Sequence, residues 1–104
     1  MRVGESNPEQ PSGKNPAEVL QEMARELEGE LATTQARMVD KQREAKAAEA
    51  SAMMAIKRGD DRAARAALME QGRLMTDNSE FDADAKVLRS LLDEIREFLS
   101  EHSP

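Results

Sequence analysis

Few residues here could do chemistry. His102 is the only histidine. A lone imidazole works as a general base or a metal ligand only with partners, and none stands near it in the sequence. It reads as a solvated residue near a helix C-terminus. Asp60 and Asp61 could ligate a hard cation, but the alternating oxygen ligands of a cation loop are missing. A turn and a helix cap explain them better. Arg58-Gly59-Asp60 spells an adhesion tripeptide, read here as coincidence. There is no glycine-rich phosphate loop, no nucleophile–base pair and no metal-ligating cluster. The expectation is a protein that is not an enzyme, with no cofactor and no metal. The seven methionines could instead form an adaptable binding face, or simply pack.

Composition narrows the class. Charged residues make up 35% and aromatics 2%, namely Phe81 and Phe98. Much of the apolar content is alanine, which buries little area, so a thick globular core is not expected. Interspersed charges with Ala, Leu, Met, Gln and Glu are the mark of long helices or coiled coil. The net charge of −6 argues against nucleic acid as a partner. No apolar run approaches a membrane span, and the N-terminus lacks the apolar core of a signal peptide. A cytoplasmic location is the resulting expectation.

Residues 1–15 hold two of the four prolines and little apolar surface, which predicts a disordered leader. Helix signals begin at Asn15-Pro16, an N-cap followed by a first-turn proline, with Glu18 placed for a capping box. The next interruption is Arg58-Gly59-Asp60-Asp61. Gly59 can take the left-handed conformation that ends a helix, and Asp60 can cap the next one. Lys57 and Arg58 suit the negative end of the first helix; Asp60 and Asp61 suit the positive end of the second. The spacing predicts helices over about 16–58 and 61–100 with a turn at 59–60. A run of poor helix formers, Thr76 to Ser79, raises the question of a break in the second, but the heptad seam runs through it without a phase shift, which favours one continuous helix. Each arm of about 41 residues would run roughly 60 Å.

The heptad pattern predicts an all-α, elongated antiparallel two-helix coiled-coil hairpin over 16–101. In the first arm Leu20, Ala24, Leu27, Leu31, Thr34, Met38, Lys41, Ala45, Ala48, Ala52 and Ala55 alternate at spacings of four and three. In the second, Ala67, Leu74, Phe81, Leu88 and Ile95 recur every seven, beside Ala64, Gln71, Asn78, Ala85, Leu92 and Leu99. These are the two seams of a coiled coil. In a hairpin, facing residues have numbers with a constant total. Leu20 with Leu99, Leu27 with Leu92, Leu31 with Leu88, Met38 with Phe81 and Ala45 with Leu74 all satisfy this, and the midpoint falls at Gly59-Asp60. The middle layers, Lys41 with Asn78 and Ala48 with Gln71, are polar.

Apolar residues also lie off the seam: Val19, Met23, Val39, Met53, Met54 and Ile56 on one arm, Leu68, Met75, Val87, Leu91 and Phe98 on the other. That is more than two helices need, so the expectation is a patch for further helical subunits, with Met53, Met54, Ile56, Leu68, Met75, Val87 and Leu91 as the partner-binding candidates. Charge is polarised, acidic at the open end and basic towards the tip, which favours staggered, salt-sensitive association. The basic tip could also touch anionic lipid headgroups.

The stretch AMMAIKRGDDRAARAAL, residues 52–68, resembles the hairpin corner of the PspA/IM30 (phage-shock protein A, Vipp1) family, bacterial relatives of ESCRT-III. Residues 15–46 also look like that family's first core helix, which starts after an Asn/Asp-Pro. The resemblance implies the core hairpin alone, and with it membrane stress response or membrane remodelling by self-assembly, peripheral at the inner face of the cytoplasmic membrane. The alternative from another class is a small helical chaperone or adaptor that binds a partner protein's helix.

Overall fold

The computed structural model describes residues 15–102. It contains two helices, α1 (Pro16–Arg58) and α2 (Asp61–Glu101), packed along their lengths as an antiparallel hairpin. Of the 88 described residues, the 43 of α1 and the 41 of α2 are helical. At 1.5 Å per residue the rods are roughly 65 Å and 60 Å long. The fold expected from the heptads is the one found. The expected disordered leader lies outside the described residues, apart from Asn15.

Local chemistry sets each boundary. The Asn15 side chain accepts from the Glu18 N–H at 2.8 Å, and Glu18 Oε1 accepts from the Asn15 N–H at 3.1 Å. Two of the donors orphaned at a helix start are thereby satisfied. At the corner Gly59 has φ 73. Its N–H donates to Ile56 O at 3.0 Å, and the Asp60 N–H reaches back to Ala55 O at 2.8 Å. That pair of bonds closes the last carbonyls of α1 and needs a left-handed residue, which glycine adopts without the Cβ penalty. Asp60 Oδ1 then accepts from the Ala63 N–H at 3.1 Å and starts α2.

α2 runs unbroken through Thr76–Ser79. These residues weaken helices because their side chains compete for nearby backbone groups. Here three of the four are engaged without leaving the helix. The Thr76 hydroxyl donates one turn back to Gly72 O at 3.1 Å, Asp77 pairs with Lys41 at 3.8 Å and with Arg73 at 3.6 Å, and Asn78 sits in the seam.

The core is a single line between the rods. Ala52, Ala55, Ala64, Leu74, Ala85 and Leu92 are buried, and the remaining seam positions are half-buried. Leu74 and Leu92 are the largest fully buried side chains. Each contributes about 1.5–3 kcal/mol by leaving water. Asn78 carries a buried Oδ1 with no hydrogen-bond partner, a cost of about 1–3 kcal/mol in the polar middle.

Candidate interaction faces

The seam divides the hairpin's surface into two broad faces, and contacts between the helices identify each. On one, Arg96 donates to Glu28 at 2.6 Å. Towards the tip the same side carries Lys41, Gln42 and Lys46 beside Leu74, Met75 and Asn78. On the other, the Arg37 guanidinium lies 6.0 Å from the centre of the Phe81 ring. A groove there joins Gly29, Glu30, Thr33 and Arg37 to Asp84 and Val87. They are called the Glu28 face and the Arg37 face below.

The off-seam apolar residues do not form one patch, as the sequence reading expected. Residues seven apart share a face of a coiled coil. At the open end the Arg37 face gathers Met23, Leu91 and Phe98 over Leu20, Leu27 and Ile95. Val87, 59% exposed, lies just beyond, and Val19 is half-buried. At the tip it is the Glu28 face that is apolar. Met75 lines its groove with Lys46. Leu68 is one heptad before Met75, Ile56 two heptads after Gln42, and Val39 and Met53 flank Lys46 by a heptad each. All five are at least half exposed. The two patches thus occupy opposite ends and opposite faces. Met54 belongs to neither: it stands beside Ala50, Ser51 and Arg58 on the Arg37 side of the tip. The sequence reading passed over Met69, the most exposed large apolar side chain at 76%. Its position on the outer surface of α2, away from both patches, could have been counted from the same heptads.

The rims differ in charge, acidic at the open end and balanced at the tip. Around the open-end patch the Arg37 face carries Glu26, Glu30, Asp84, Glu94 and Glu101 against Arg37. Around the tip patch the Glu28 face carries Lys46 and Arg65 against Glu49 and Asp61, so its rim is balanced. These follow from heptad spacing to the groove residues Thr33, Glu94, Gln42, Met75 and Asp93. Arg73, also in the tip half, is held above its ordinary pKa, first by its hydrogen bond to Glu70 and then by that carboxylate's charge.

The turn residues Arg58, Gly59, Asp60 and Asp61 are all exposed, and the two aspartates serve as cap and first-turn acid. His102 is exposed but not simply solvated. Its ring stacks on Phe98 at 4.0 Å, and its Nδ1 lies 2.9 Å from the Phe98 carbonyl oxygen. Among the described residues no three His, Cys, Asp or Glu side chains are placed to hold a metal, and no helix is long and apolar enough to cross a membrane. No protein-family model, curated protein or solved structure matches the chain.

Proposed function

We propose that this hairpin is an assembly unit. It works by packing its two exposed apolar patches against further helices, as a PspA/IM30-like component of membrane stress response or remodelling. The observation that carries the reading is apolar surface left over after pairing. Phe98, Leu91 and Met23 stay more than 40% exposed at one end, and Leu68, Met75, Ile56 and Met53 are at least half exposed at the other. Contiguous apolar patches with charged rims mark interaction sites. The membrane part of the reading is supported by the corner segment 52–68 and by the basic residues Lys57, Arg58, Arg62 and Arg65 around the turn, which suit an anionic lipid surface.

Analytical ultracentrifugation across protein concentration and salt tests the assembly reading. Larger species that grow with concentration and dissolve with salt are expected; a monomer under every condition overturns it. Sedimentation with vesicles of anionic lipid, followed by negative-stain microscopy, tests the membrane part, where large lipid-dependent assemblies are expected. A small stoichiometric complex with a protein partner, indifferent to lipid, would instead favour a helical chaperone or adaptor.

A further inference from the structure

We infer that the open-end patch takes a basic amphipathic helix from a partner protein, one whose apolar stripe is bordered by Lys or Arg. The inference rests on the reading that leftover apolar surface packs against further helices, and it names the chemistry of one of them. Two observations carry it. The first is the charge around the patch. Glu26, Glu30, Asp84, Glu94 and Glu101 are all exposed, and among the described residues none of the five forms an ion pair. Arg37 is the one Lys or Arg among the described residues on this face of the open half, and it lies over Phe81. Glu22 and Glu97, on the outer flanks of the two rods, add charge of the same sign. On the Glu28 face at the same end Arg25, Lys86, Arg89 and Arg96 balance Glu18, Glu28, Asp82 and Asp93.

The second observation is the shape of the patch. Met23, Leu91 and Phe98 stand beside Leu20, Leu27 and Ile95, so its floor is built from both rods. From Phe98 to Asp84 it runs roughly 20 Å along α2. A helix laid there satisfies its own backbone and turns one apolar stripe to the floor. An extended segment would press unpaired N–H and C=O groups onto apolar side chains, with no sheet edge to receive them. The docked helix completes a three-helix bundle. Its flanks then face Glu26 and Glu30 on α1 and Asp84, Glu94 and Glu101 on α2. Acids on both sides favour Lys or Arg on both borders of the stripe, and they repel an acidic helix or an anionic lipid surface. The tip patch of a second copy, with Lys46 and Arg65 balanced by Glu49 and Asp61, offers no such match.

The probe is a fluorescein-labelled synthetic helix of about 18 residues, with leucine along its stripe and lysine at the borders. A twin carries glutamate in place of lysine. Anisotropy titration with the full chain is expected to show one lysine peptide bound per chain, about tenfold tighter than the twin and weaker as salt rises. Leu91→Gln changes an exposed side chain off the seam and is expected to weaken binding about tenfold. Glu30→Gln with Glu94→Gln is expected to weaken it about fivefold, whereas Glu44→Gln with Glu49→Gln, the same charge change away from the patch, shifts it less than about twofold. Circular dichroism checks that each variant keeps its helices. No binding, or equal binding of the two peptides, overturns the inference. Equal losses from the two pairs of substitutions overturn it as well, because net charge alone would then explain the attraction. Sedimentation of the unsubstituted chain and of Leu91→Gln separates the failures. A chain that self-associates but ignores the lysine peptide loses only this inference. A chain that binds the peptide but stays monomeric keeps it and loses the self-assembly reading. Self-association abolished by Leu91→Gln assigns the patch to a second copy and overturns the inference.

Discussion

The tip and the open end obey the same heptad rule with opposite materials. Near the turn the seam is alanine: Ala52, Ala55 and Ala64 are 1%, 1% and 6% exposed. At the open end it is Leu20, Leu27, Ile95 and Leu99, all only half-buried. Small side chains let the rods come close and shut out water almost completely, yet each buries little area. Large side chains hold the rods apart and keep an exposed flank, but remove more apolar surface from water. Completeness of burial and amount of burial are therefore different quantities. The alanine layers near the turn are therefore expected to contribute less to stability than the leucine layers, despite their fuller burial.

That contrast can be broken from either side. Leu92→Ala empties one of the two large buried positions and is expected to cost about 3 kcal/mol, read by urea unfolding followed by circular dichroism. An unchanged midpoint would mean the open half contributes little. Ala52→Leu tests the other half, where extra bulk at a close approach is expected to cost about 2 kcal/mol by the same measurement. Stabilisation there would show the tip to be loosely packed. Gly59→Ala places a Cβ at φ 73. Open space surrounds it, so the loss of about 1 kcal/mol comes from backbone strain alone. Asn78→Leu removes the orphaned buried oxygen from the middle, and a gain of about 1 kcal/mol is expected. If the variant instead changes its sedimentation, the polar layer was holding register or oligomer state. Glu28→Gln breaks the exposed pair with Arg96, for an expected loss below about 0.5 kcal/mol that vanishes at high salt.

Much of this molecule could be read in one dimension. The helix start at Asn15-Pro16 and the corner at Gly59 appear in the structure where residue types and spacing placed them, and the seam positions are the buried or half-buried ones. Each depends on interactions within one turn or on a strict seven-residue repeat. At Thr76–Ser79 two signals in the sequence disagree, propensity for a break and the unshifted seam against it, and the unbroken α2 follows the seam. The interaction surface was legible as a set of residues but not as a shape. Met23 and Phe98 are 75 positions apart, and only the pairing of the rods puts them in one groove.

Sequence by itself determined the class, the two rods, their turn and the identity of the seam, because a coiled coil is a one-dimensional pattern wrapped around a line. Tertiary structure decided how the flanks of the two arms join into faces, and so that the leftovers gather into two patches on opposite faces at opposite ends. The reason is geometric. A face of a hairpin is built from both arms at once, so no stretch of either arm contains it.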